Sequence, residues 1–93
     1  MNFGAAIACA KAGNRVRRAG WNNKDAFLIF VHGQSNFRLR AGTPYHVVLG
    51  DATVNIQAHF DMIYPAAGDE PALCCPGWLA SQADMLAEDW EIV

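Results

Sequence analysis

The chain has 93 residues and a mass of 10.1 kDa, with seven Lys and Arg against nine Asp and Glu, a formal charge of −2, 53% apolar and 17% charged residues. Reading a DNA or RNA backbone needs a basic stripe that this balance does not supply, so neither is an expected partner, whereas a compact ligand with one or two phosphates fits. No apolar run approaches the about 20 residues of a membrane span, and Met1-Asn2-Phe3-Gly4 lacks the basic region and apolar stretch of a signal peptide, so a cytosolic protein away from membranes is expected.

Asn2 to Gly13 reads as a short helix: Asn2 caps it, Phe3, Ile7 and Ala10 share a face, Lys11 suits its negative end and Gly13 its left-handed exit. Arg15 to Ala19 alternates like a strand, and Gly20-Trp21-Asn22-Asn23 forms a turn of residues that tolerate positive φ. Ala26 to Val31 is a continuous apolar run, expected as a central strand covered on both faces. From His32 to Gly50 the pattern is weak: Phe37-Arg38-Leu39-Arg40 suits a strand edge, while Gly33, Gly42 and Pro44 indicate a long excursion. Thr53 to Tyr64 alternates Val54, Ile56, Ala58, Phe60, Met62 and Tyr64 with polar residues, the pattern of one long strand. Ala66 to Glu70 then turns the chain into a hairpin with Pro71 to Cys75, Ser81 opens a short helix, and Trp90 to Val93 closes the sheet, with Trp90 plugging the core. The expected fold is α+β: a mostly antiparallel β-sheet with an N-terminal helix and a short C-terminal helix before a closing strand. A chain this short forms one domain, 1–93, whose thin core favours a ligand site shared with a second subunit.

Cys9, Cys74 and Cys75 are odd in number with two adjacent, which argues against a disulfide framework, and no Cys-x-x-Cys or His-x-x-x-His spacing indicates a metal or other cofactor. No nucleophile sits beside a base and orienting group, and the glycines do not form a phosphate loop, so an enzyme is not expected. Trp21, in a turn beside amides, offers a flat face on which a base stacks, or else folds over the core or fills a subunit interface. Arg15, Arg17 and Arg18 reach a phosphate or form a solvated strand face. Trp78 follows Pro76 and Gly77, which turn the chain out of the hairpin. Ser81 and Asp84 have the spacing of a capping box; the alternative use of the same helix start is to hold a polar ligand edge.

Three stretches are similar to a family of small phage and prophage proteins: Met1-Asn2-Phe3-Gly4-Ala5-Ala6, Lys11-Ala12-Gly13 with Arg18-Ala19-Gly20-Trp21-Asn22, and the ending Trp78 to Val93. That family includes the second type of Thoeris anti-defence protein, a sponge for cyclic ADP-ribose signals made by TIR-domain enzymes. The resemblance implies a homotetramer in the host bacterial cytoplasm, with pockets between subunits. Each pocket would hold a glycocyclic ADP-ribose uncleaved, and some members also take cyclic dinucleotides. On this reading Trp21 and Trp78 stack on or close over the adenine, Arg17 or Arg18 meets the pyrophosphate, Ser81, Gln82 and Asp84 contact ribose or base edges, and Asn22 is a further ligand-binding residue. The middle, Gly33 to Asp51 with Arg38 and Arg40, and the Cys74-Cys75-Pro76-Gly77 approach to Trp78 depart from the family pattern. The competing reading is a phage structural or interaction module whose tryptophans serve assembly.

Overall fold

The computed structural model describes residues 1–93, and its first element is the expected helix. In α1 (Phe3–Lys11) the Asn2 side chain accepts the Ala5 N–H at 2.8 Å, satisfying a donor the helix start would leave orphaned, and Gly13 at φ +102° leads the chain away. Three strands follow or precede their expected partners: β1 (Val16–Arg18), β2 (Phe27–Val31) and, later, β5 (His59–Tyr64). With β6 (Leu73–Pro76) and β7 (Trp90–Ile92) they form an antiparallel sheet in the order β6-β5-β2-β1-β7, so the apolar run of β2 does occupy the centre. The hairpin of β5 and β6 is present, with Met62 opposite Cys75.

Register decides which side chains meet the helix. Val16 lies opposite Leu28 and Leu28 opposite Met62, so all three project from one face. There α1 lays down Ala6 and Ala10, whose small side chains let it close on the sheet, and Trp90 fills the remaining space at 2% exposure. Burying Trp90, Leu28 and Val16 contributes on the order of 1.5–3 kcal/mol each. The opposite face is covered less than the sequence implies. Phe27, Ile29 and Val31 stay half-buried, with the Arg15 guanidinium 5.0 Å above the Phe27 ring, because no helix packs on that side.

The long strand expected from Thr53 to Tyr64 is two. β4 (Thr53–Ile56) pairs with β3 (Gln34–Arg38) in a separate two-stranded sheet, and the chain enters β5 only after Gln57 and Ala58. The alternation is unbroken because each half has one apolar face, but the faces line different spaces. Phe60 and Met62 pack on the core, whereas Val54 and Ile56 line a cup of about 300 Å³ with Phe37, Leu39 and Tyr45. A third helix, α2 (Pro44–Leu49), rides on this arm between β3 and β4, where the sequence suggested only an excursion. Thr43 Oγ1 accepts the His46 N–H at 3.3 Å and Pro44 takes the first helical position, where its missing N–H costs nothing. The last helix, α3 (Gln82–Leu86), precedes β7 as expected.

The arm projects from the five-stranded body, and neither β3 nor β4 packs extensively against it. The radius of gyration is accordingly 15.8 Å, against about 12 Å for a compact chain of this length. At the junction, Gly33 is required by proximity: a Cβ there would lie 2.6 Å from the Ile56 carbonyl oxygen and 3.0 Å from the Ala58 nitrogen, both backbone atoms. Gly33→Ala is therefore expected to destabilise the junction by about 1–3 kcal/mol, read as a fall of roughly 5–20 °C in thermal midpoint by circular dichroism.

Candidate functional site

Two turns bring two indoles to one end of the helix-covered face. The first joins β1 to β2: Gly20 donates its N–H to Asp89 Oδ2 at 2.8 Å, so closely that a Cβ would sit 2.7 Å from that oxygen, and Trp21 follows. Asn23 Oδ1 accepts the N–H groups of Asp25 and Ala26 at 3.0 and 3.2 Å, which closes the turn onto β2. The second leaves β6 at Gly77, whose φ of +81° only glycine adopts freely. The Gly77 N–H donates to Asp61 Oδ1 at 3.1 Å, and the Trp78 N–H donates to the Phe60 carbonyl at 2.8 Å, pinning Trp78 to β5. Asp61 is buried, with His59 Nε2 3.4 Å and Cys74 Sγ 3.7 Å away on the uncovered side of the sheet; burial and this carboxylate push the Cys74 thiol up.

The rings of Trp21 and Trp78 meet edge to face, 6.2 Å between centroids at 61°, and both abut buried Trp90 at 5.3 and 6.1 Å. In front of them opens a cavity of about 300 Å³ lined by Trp21, Asn22, Asn23, Ala26, Met62, Tyr64 and Trp78. It is an aromatic wall with amides at the rim and no ionised side chain in its lining.

Behind the wall stands Asp84, 8% exposed, at the third position of α3. Its Oδ1 accepts Trp21 Nε1–H at 3.1 Å and Arg18 Nη1–H at 2.9 Å, its Oδ2 accepts the Ser81 N–H at 3.1 Å, and its backbone carbonyl accepts Trp90 Nε1–H at 2.9 Å. Ser81 Oγ accepts the Asp84 N–H at 3.0 Å, completing the capping box. Arg18 Nε reaches Asp89 Oδ1 at 2.9 Å, so one guanidinium spans two carboxylates. Burial pushes the Asp84 carboxyl up, but the hydrogen bonds from Trp21, Arg18 and Ser81 outweigh it and hold it below the usual range. The hydrogen bond from Arg18 holds Asp89 low, and the same two bonds raise Arg18.

Of the residues singled out in the sequence, Trp21, Asn22 and Trp78 come together around the cavity. Ser81 and Asp84 form the cap, Arg18 is held by Asp84 and Asp89, and Gln82 is exposed on the first turn of α3. Arg17 points to the opposite face, where Nε pairs with Glu91 at 2.9 Å and Nη1 donates to the Lys24 carbonyl. Asn23, Ala26, Met62 and Tyr64 join the lining without having been singled out, although Met62 and Tyr64 were visible as same-face residues of the alternating run.

An α+β scaffold that presents an aromatic cleft between two tryptophan-bearing turns is thereby defined. The chain belongs to the Thoeris anti-defense 2-like domain family, whose model matches residues 1–93. It is 31% identical over 93 residues to Thoeris anti-defense 2 of Bacillus phage SP01, an alignment covering all of this chain and 94% of that protein. Its broad role is that of a phage Thoeris anti-defence protein. No helix is long and apolar enough to cross a membrane.

The Asp84 cluster has a measurable signature. Because Asp84 and Asp89 titrate lower folded than unfolded, their stabilisation is complete above about pH 5 and is lost as the pH falls through the folded values below about 4, while Arg18 stays charged throughout. Stability from urea titrations followed by tryptophan fluorescence is expected to be flat from about pH 5 to 8 and to fall below about 4. Asp84→Ala leaves the Ser81 hydroxyl cap in place but strands the Trp21 and Ser81 N–H groups, a loss of about 1–3 kcal/mol for a buried donor, and should shrink the acid-sensitive part of the profile.

Proposed function

We propose that the protein binds glycocyclic ADP-ribose signals of the Thoeris system and holds them uncleaved in the host cytoplasm, so that the effector is never activated. It acts as a homotetramer whose cavities are completed between subunits, and cyclic dinucleotides are a second ligand class. The observation that carries this reading is the cavity itself: two indoles at 61° with Tyr64 beside them and the amides of Asn22 and Asn23 at the rim. A base entering it stacks on a flat face while its polar edge meets donors and acceptors of both kinds.

The support behind the wall suits a sponge. Trp21 is held by Asp84, and Asp84 by Arg18 and Ser81, so the stacking surface needs no ordering when ligand arrives, which removes part of the cost of binding. Sequestration has to reach roughly nanomolar affinity, about −12 kcal/mol. Stacking supplies about 1–3 kcal/mol per base and each charge-assisted hydrogen bond about 1.5–3, so an aromatic clamp with several polar contacts is the minimum. At about 300 Å³ the cavity is at the small end of ligand pockets. It accommodates a nucleoside portion and leaves the rest of a cyclic dinucleotide-sized ligand to be met from outside.

Incubating the protein with cyclic ADP-ribose isomers, removing it by filtration and then heating the retained fraction tests the proposal. Depletion followed by release of intact ligand is expected. Ligand lost without recovery indicates an enzyme, and no depletion indicates a structural or interaction module. Trp21→Ala and Trp78→Ala should each abolish depletion while the oligomer elutes unchanged on a sizing column.

A further inference from the structure

A phosphate-bearing ligand needs cations, and the chain has seven Lys and Arg in all. Four of them are committed within the body. Arg17 is paired with Glu91, Arg18 with Asp84 and Asp89, Arg15 lies over the Phe27 ring, and Lys24 Nζ donates to the Ala19 carbonyl at 2.7 Å. None of these, nor any other charged residue, lines the cavity. Lys11, in the last turn of α1, is suited to that helix's negative end. The two that remain, Arg38 and Arg40, are both on the arm, exposed and without an ion-pair or hydrogen-bond partner for either guanidinium.

Their placement is regular. The Leu39 N–H donates to the Ala52 carbonyl, so the pairing of β3 with β4 runs on past Arg38. Leu39 is buried and lines the apolar cup with Phe37. Alternation therefore turns Arg38 and Arg40 together to the side away from the cup, roughly 7 Å apart, a spacing that suits two neighbouring phosphates. They cannot serve the cavity of their own chain. The cavity lies at the Ala26 and Tyr64 end of β2 and β5, the arm begins beyond Val31 and His59 at the other end, and about 17 Å of strand separates the two.

We infer that Arg38 and Arg40 of one copy complete the cavity of a second, gripping the pyrophosphate of a nucleotide whose base is stacked on the wall formed by Trp21 and Trp78. The inference rests on the sequestration reading and adds to it the residues a neighbouring copy supplies. It also accounts for a projecting arm on which Tyr45, Val47, Val48 and Leu49 are 68, 77, 81 and 53% exposed, an apolar surface beside the arginines that a second copy would cover. A negatively charged chain attracts a doubly charged phosphate poorly unless its few unpaired cations converge, and delivery by a neighbour is the way this fold achieves that.

Binding is measured with two probes, cyclic ADP-ribose and adenosine, which has the base and no phosphate. In the double variant Arg38→Ala/Arg40→Ala, cyclic ADP-ribose is expected to bind about 100-fold or more weakly, while adenosine changes less than about threefold. Co-expressing that variant with Trp21→Ala should restore about one quarter of the wild-type sites, since only a good cavity facing a good arm is active. Four results would overturn the inference: wild-type affinity in the double variant, equal loss of both probes, no restoration in mixed oligomers whose mass matches wild type, or loss of the phosphate preference in Lys24→Ala instead. If wild type retains neither probe, the sequestration reading fails with it; if wild type retains cyclic ADP-ribose and the double variant does too, only the arm's role is lost.

Discussion

A single carboxylate organises the end of the molecule that carries the aromatic cleft. Asp84 is nearly sealed from solvent, and a buried charge survives only where its desolvation is offset by donors. Here the donors come from four parts of the chain: the Arg18 guanidinium on β1, the Trp21 indole in the following turn, the Ser81 backbone at the start of α3, and, through the Asp84 carbonyl, the Trp90 indole on β7. Each bond fixes a neighbour as much as it satisfies the acid. Trp90 is driven into the core, Trp21 is held at the surface with its face open, and the closing strand is tied to the first by Arg18 through Asp89. Hydrophobic burial alone would leave the indoles several packings of similar energy; the directional bonds select one.

A matching arrangement on the reverse of the sheet sets the second indole. Asp61 is turned away from the helix and accepts from Gly77, so the turn that presents Trp78 is anchored through the sheet to a residue the ligand cavity never sees. The cavity is thus built on strands and braced from both sides, so its walls are ordered whether or not anything occupies it. The arm contrasts with this. It has its own apolar cup and a helix with no buried residue, and it shares little with the body beyond the crossing at Gly33. The match to the Thoeris anti-defense 2-like family spans body and arm alike.

The separation of the two regions has an electrostatic counterpart. Within the body Arg17 is paired with Glu91 and Arg18 with Asp84 and Asp89, while Arg15 lies over the Phe27 ring, which stabilises the sheet and leaves the cavity without a charged lining residue. The two arginines with neither an ion pair nor an aromatic face beside them are both in the arm. The apolar surface left open is likewise concentrated on the arm, at Tyr45, Val47, Val48 and Leu49, away from the uncharged cavity.

Much of this was determined by local sequence. The cap at Asn2, the exit at Gly13, the apolar run of β2, the hairpin of β5 and β6 and the Ser81–Asp84 capping box depend on neighbours a few residues apart, and pattern reads such interactions directly. Thr43-Pro44 was an equally local sign of α2, overlooked because that helix buries nothing and so shows no apolar stripe. Other features were decided only in three dimensions. Alternation from Thr53 to Tyr64 states which residues share a face but not which sheet they join, so the break at Gln57 and the arm were invisible. Spacing likewise could not reveal that Arg17 points away from the cavity, that Arg18 is spent on two acids, or that Met62 and Tyr64 complete the aromatic wall. Those outcomes depend on residues far apart in the chain, 66 to 74 positions for the arginine pairs, and only the folded chain brings them together.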